Sequence, residues 1–113
     1  MAEEWAAEWA DLNRRLWLAS GSDEELDRDL AALFGQSPHA YSASVEDCRA
    51  LVTAALPGWR LHLGYGASGM FPYALLSRDG IQIVSDAPTV PLAILRSLVA
   101  AKARSAPSAL PPS

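Results

Sequence analysis

The stretch Arg78-Asp79-Gly80-Ile81 limits what this chain can fold into more than any other four residues. Asp-Gly accepts the positive φ angles that both central positions of a tight type I′ turn require, so a β-hairpin is expected here. A two-residue loop at Asp79-Gly80 also sets the register: Arg78 faces Ile81, Leu76 faces Ile83, and Ala74 lies near Ser85. The strands on either side run from Met70 to Ser77 and from Ile81 to Ser85. Upstream, Trp59, Leu61, Leu63 and Tyr65 alternate with Arg60 and His62, the period of a half-buried strand. Three such strands in succession make an antiparallel meander. Within the hairpin, Ala74, Leu76, Ile81 and Ile83 share one face, and Phe71, Tyr73, Leu75 and Val84 share the other. Both sets are apolar, which predicts a sheet covered on both faces. Pro72 has no donor to give a neighbour, so the second strand is expected to begin at a bulge or an edge.

The other segments read as helices. In Ala2–Leu18 the residues Trp5, Trp9, Leu12 and Leu16 recur at spacings of four, three and four, one apolar stripe. Glu3, Glu4, Glu8 and Asp11 come early and Arg14 and Arg15 late, as the helix dipole favours. Ser22-Asp23-Glu24-Glu25 has the form of a capping box, with a second helix from Asp23 to Phe34 and a left-handed stop at Gly35. Ser42 or Ser44 caps a third helix that buries Val45, Cys48, Val52 and Ala55 and ends at Pro57-Gly58. Thr89 caps a last helix with Pro91 in its first turn and Leu92, Leu95, Leu98 and Val99 inward. The expected fold is therefore α+β, in the order α-α-α-β-β-β-α, with the three-stranded meander sandwiched between helices. The chain divides into an amphipathic helix over residues 1–20, an α+β domain over 21–104, and a disordered tail over 105–113 that contains three prolines.

Composition narrows the function classes. Residues 1–35 hold nine acids against three bases, net −6, while the rest is net +2, giving −4 for the chain. No basic patch is interleaved with aromatics, so a direct nucleic-acid binder is disfavoured, and the acidic end is suited to a basic surface. No apolar run approaches the roughly 20 residues that span a bilayer. A single cysteine excludes an intramolecular disulfide, and the acidic N-terminus does not resemble a secretion signal, so a reducing, cytoplasmic setting is expected.

No catalytic, cofactor or metal constellation emerges. Gly64-Tyr65-Gly66-Ala67-Ser68-Gly69 matches the dinucleotide fingerprint in letters, but a strand follows where a phosphate-binding helix must open. Ser68 lacks the last glycine of a nucleophile elbow. Cys48, His39 and His62 fit no zinc spacing. Two surfaces remain. The tryptophan helix, with Trp5, Trp9, Trp17, Glu4, Glu8 and Asp11, is either packed on the core or a docking handle with aromatic anchors. Arg60, His62 and Gln82 share the less apolar side of the sheet, either as a solvated patch or contacts to a covering helix, or as the one polar cluster to consider for a ligand.

Two stretches carry a family likeness. Tyr41-Ser42-Ala43-Ser44-Val45-Glu46-Asp47 leads through the third helix into Pro57-Gly58-Trp59-Arg60, and Ala87-Pro88-Thr89-Val90-Pro91-Leu92-Ala93-Ile94-Leu95-Arg96-Ser97-Leu98-Val99-Ala100 forms the last helix. With Gly21-Ser22-Asp23-Glu24-Glu25-Leu26-Asp27 upstream, they resemble the phage ABA sandwich domain family, small proteins of tailed phages and prophages, from about Gly21 to Arg104. The chain departs from that pattern in its short Gly35–Tyr41 segment and in Pro91, where the family has alanine. The resemblance implies a sheet between helical layers, no established activity and no site residues. It points to a non-enzymatic accessory protein of phage type that binds a protein partner, inside the host cytoplasm. A narrower expectation is an inhibitor of a bacterial defence complex, of the anti-CRISPR kind, whose carboxylates occupy a basic nucleic-acid groove. The rivals are a small ligand binder or enzyme using the Gly64–Gly69 loop, and a homo-oligomer closed by the tryptophan helix.

Overall fold

The hairpin turn is where the Asp-Gly pair places it: Asp79 has φ 50° and Gly80 φ 83°. The computed structural model describes residues 2–66 and 69–105, with side chains given for 8–66 and 69–103. Within these the order is α1 (Ala2–Leu18), α2 (Glu24–Phe34), α3 (Val45–Ala55), β1 (Arg60–Tyr65), β2 (Pro72–Arg78), β3 (Ile81–Asp86) and α4 (Val90–Ser105). The sheet is antiparallel with spatial order β1-β2-β3. Its hairpin register pairs Arg78 with Ile81, Leu76 with Ile83 and Ala74 with Ser85, as the turn dictates. β1 adds Leu61 opposite Leu76 and Leu63 opposite Ala74. Pro72 is the first residue of the central strand; its carbonyl accepts from the Ala87 amide at 3.1 Å, and its missing donor forfeits only the return bond at the end of the ladder. The tail expected over 105–113 lies outside the described residues, apart from Ser105, which closes α4.

Helix α4 is the centre of the molecule. Every residue from Leu92 to Val99 is buried, so this helix has no wet side over two turns. It packs on β2 and β3 with one side, and on α1 and α3 with others. Ser97 donates to the Ala74 carbonyl at 2.6 Å, which fixes the side that faces the sheet. Ala93 and Ala101, four residues either way, share that side and are fully buried; their small side chains let the helix lie close to β2. Thr89 Oγ1 accepts from the Leu92 amide at the helix start, and Lys102 reaches the Ala55 carbonyl at the end of α3.

The capping of α2 differs from the expected box. Asp23, not Ser22, is the N-cap, with Oδ1 accepting from the Leu26 amide at 3.0 Å. The box pattern places a Glu three residues after Ser22, but the chain turns one residue later because Ser42 holds it there. Ser42 Oγ accepts from the Asp23 amide at 2.7 Å, and the Ser42 amide donates to the buried carboxylate of Asp27 at 2.7 Å. This long-range clasp lets Ser44 cap α3 instead, through the Asp47 amide. Gly35 takes the left-handed stop, φ 65°.

The expectation of helices on both sheet faces is corrected. α4 covers the face carrying Leu61, Leu63, Ala74, Leu76 and Ile83. On the opposite face Val84 is 61% exposed, His62 and Gln82 are exposed, and Tyr73 and Leu75 are half-buried. In the hairpin alone that face carries the apolar Tyr73, Leu75 and Val84. Pairing β1 with β2 places Arg60, His62 and Gly64 beside those apolar residues and makes a mixed surface that water tolerates.

Candidate functional site

The open face is a grid of nine residues, three from each strand. Cross-strand partners give its rows: Arg60, Ser77 and Gln82; then His62, Leu75 and Val84; then Gly64, Tyr73 and Asp86. Arg60 and Asp86 therefore occupy diagonally opposite corners, with Leu75 at the centre. The alternation of each strand puts these side chains outward because their neighbours Leu61, Leu63, Ala74, Leu76 and Ile83 are drawn to α4.

Gly64 makes room on this face for Tyr73. A Cβ there would meet Tyr73 Oη, Cζ and Cε2 at 2.7, 2.8 and 3.0 Å, so the Tyr73 ring lies across the glycine. The same ring is tilted against His62, centroids 6.2 Å apart. Gly64→Ala is expected to push Tyr73 off the strand and cost about 1 kcal/mol, the scale of a cross-strand aromatic contact. A double-mutant cycle with Tyr73→Ala checks this: once the ring is gone, the alanine should cost little.

The polar residues singled out in the sequence do share this face, but they do not converge. Arg60 and Gln82 stand on opposite sides of Ser77, and His62 belongs to the next row. The hollow near them opens at the hairpin end, bordered by Gly58, Arg60, Arg78, Asp79 and Gln82. Arg78 there bonds to the neighbouring Asp79 at 3.3 Å.

The tryptophan helix belongs to the same core as the rest of the chain. Trp9 is 6% exposed, packed edge-on to Phe34 with centroids 5.5 Å apart, and Leu12 and Leu16 are buried beside it. Trp9 is thus corrected from docking anchor to core residue: the stripe found its partners in α2 and α4. The side chains of Trp5 and Glu4 lie outside the described ones. Glu8 and Asp11 are exposed. Asp11 accepts from Arg14 at 2.7 Å, and that bond holds its carboxyl below the usual carboxylate range. Arg15 bonds to Asp29 of α2 at 2.6 Å, which raises its guanidinium above the ordinary value.

Trp17 is half exposed and has a partner the sequence did not reveal. The Arg96 guanidinium stacks on its ring, 4.3 Å from the centroid. Arg96 is buried and spends its donors on three backbone carbonyls: Nε to Leu16 at 3.0 Å, Nη2 to Trp17 at 3.0 Å, and Nη1 to Asp86 at 2.7 Å. Leu16 and Trp17 end α1, where carbonyls lack helical partners and the dipole is negative. Arg96 caps one helix while sitting in the middle of another, and ties both to the end of β3. Burial pushes its pKa below the ordinary value, and the Asp86 carboxylate works against that shift.

Cys48 is fully buried, and its Sγ bonds to the Tyr41 carbonyl at 2.8 Å. Burial, reinforced by Asp27 and Asp47, pushes the thiol up to about 12. His39 stands outside on the surface, 3.9 Å from Asp47. Among the described residues no three His, Cys, Asp or Glu side chains converge to hold a metal ion. Within the Gly64–Gly69 segment, Ala67 and Ser68 lie outside the described residues; Gly69 donates to Gly66, and β2 rather than a helix follows. Among the described residues no helix is long and apolar enough to cross a membrane. No protein-family model, curated protein or solved structure matches this chain.

Proposed function

We propose that this protein acts by binding another protein, as a non-enzymatic accessory factor of the phage or prophage type, and that the open sheet face makes the contact. The observation that carries this reading is the arrangement of that face: Leu75 lies at its centre, with Tyr73 and the 61%-exposed Val84 beside it and Arg60, Gln82 and Asp86 at the corners. An apolar-aromatic centre within a polar border is the anatomy of a protein contact rather than of a ligand pocket, which needs converging groups in a concavity. The resemblance to the phage ABA sandwich domain supplies the biological setting. The acidic outer side of α1 gives less support to an inhibitor that mimics nucleic acid, because Arg14 and Arg15 already attend Asp11.

Capture with matched baits tests the reading. Val84→Asp places a charge in the face without disturbing the core, whereas Asp11→Lys reverses the α1 surface. A partner held by wild type and by Asp11→Lys but lost by Val84→Asp is the expected pattern. Loss with Asp11→Lys and retention with Val84→Asp would move the contact to α1 and refute the assignment.

A further inference from the structure

We infer that the open sheet face pairs with the same face of a second copy of this chain, the two sheets crossing at close to a right angle. The inference rests on the reading of this face as a protein-binding surface, and it names the partner.

The argument is one of charge and symmetry. Two identical faces that meet are related by a twofold axis lying in the interface. Packed sheets prefer aligned or orthogonal crossings. Each possible axis assigns different neighbours to the nine-residue grid. An axis parallel to the strands sets Arg60 over the other copy's Gln82, and Asp86 over its Gly64. An axis perpendicular to the strands sets Arg60 over Gly64 and Gln82 over Asp86. The two diagonal axes give orthogonal crossings. One stacks Arg60 on Arg60 and Asp86 on Asp86, which is repulsive. The other, running through Gln82, Leu75 and Gly64, sets Arg60 over Asp86 twice, His62 over Tyr73 twice, and Leu75 over Leu75.

Of these arrangements, this last diagonal is the one that brings opposite charges together. Neighbouring strands are about 4.8 Å apart and alternate residues about 6.7 Å, so the paired corners miss perfect overlay by only about 3 Å in the plane. Sheets stacked about 10 Å apart leave room for an arginine and an aspartate to meet. Arg60 and Asp86 are both exposed, and among the described residues neither joins a salt bridge within the chain. The charges lie at the rim and the leucine at the centre, as interfaces are built. Three short strands offer less than the roughly 800 Å² per partner of a standard interface, so the dimer is dissociable, with a Kd in the micromolar range or weaker.

Sedimentation velocity on the full chain, from roughly 10 µM to 1 mM, tests the proposal. Wild type should shift from monomer to dimer across this range. Arg60→Asp alone and Asp86→Arg alone each turn two attractions into two repulsions and should weaken the dimer about tenfold or more. Arg60→Asp with Asp86→Arg restores opposite charges and should recover most of the affinity. Val84→Asp should leave a monomer. Because Asp86 also supplies a carbonyl to Arg96, circular dichroism must show that each variant is folded. A second readout avoids that position: Gln82→Cys lies on the axis, so a short bismaleimide should link two copies, and the buried Cys48 does not compete. A wild-type protein that stays monomeric throughout overturns the dimer, while the matched-bait capture reads separately whether the face binds something else. Single reversals that leave the dimer intact, or a double reversal no better than either single, overturn the crossed geometry.

Discussion

Replacing Arg96 with methionine should lower the unfolding free energy by about 3 kcal/mol, since hydrogen bonds from a charged donor contribute roughly 1.5–3 kcal/mol each and are not additive. Three carbonyls, from Leu16, Trp17 and Asp86, lose their donor together. Methionine fills the stem's volume, so the loss reports on the fork and not on a cavity. Against a total stability of roughly 5–15 kcal/mol for a domain, this is a large fraction. Arg96→Lys should recover less than half, because one ammonium cannot reach three divergent acceptors and is more strongly hydrated than a guanidinium. Trp17→Ala removes only the stacked ring and should cost about 1 kcal/mol or less at this half-exposed site. Urea unfolding followed by tryptophan fluorescence measures all three. A cost for Arg96→Met no greater than that for Trp17→Ala would mean that water replaces the guanidinium at the carbonyls.

The second large effect is alkaline. In the unfolded chain Cys48 ionises near 9.0, whereas burial in the fold holds its proton to about 12. Between those values the unfolded state has lost the proton and the folded state has kept it, so stability falls as pH rises. The stabilisation is fully present below pH 9 and is withdrawn progressively up to pH 12, by as much as roughly 4 kcal/mol at 1.36 kcal/mol per unit. Tyr41, whose hydroxyl is also raised by burial, pushes in the same direction. Cys48→Ala removes the titrating thiol at the cost of a small void and the bond to Tyr41. It should be about 1 kcal/mol less stable at neutral pH, yet more stable than wild type near pH 11. Urea unfolding at a series of pH values checks the crossing. Parallel curves for the two proteins above pH 9 would show that the thiol is not the titrating group. For the same reason native Cys48 should resist alkylation at pH 8, and react at once in denaturant.

Much of the architecture was legible because it is written in local chemistry. The Asp79-Gly80 turn, the left-handed Gly35, the caps at Ser44 and Thr89, and the apolar stripe of α1 each depend on a few neighbouring residues, and each stands where the pattern put it. What was not legible depends on partners far along the chain. Asp23 caps α2 because Ser42, nineteen residues on, fixes its amide. Arg96 reads as a surface charge on an amphipathic helix until the carbonyls eighty residues earlier are brought to it. The enclosed nature of α4 was hidden for the same reason: Arg96 and Ser97 broke the apolar run, and both are satisfied by other elements.

The candidate site was half legible. Arg60, His62 and Gln82 lie on one side of the sheet, as the period of two requires. Their relation to Asp86 needed the full register of β1 on β2 and β3, which the hairpin alone does not give. The role of Trp9 was not legible because a tryptophan at a helical spacing has the same signature whether it meets its own core or a partner. Burial decided it.

The helix that joins the other described elements is made after all of them. α1, α3 and the hairpin share few contacts until Leu92–Val99 lies among them. On the ribosome, the nascent chain must therefore wait for α4 to clear the exit tunnel before α1, α3 and the meander can settle on one another, with the apolar sides of α1 and the meander held open meanwhile. A chain truncated before Val90 should yield not a smaller domain but material for proteases.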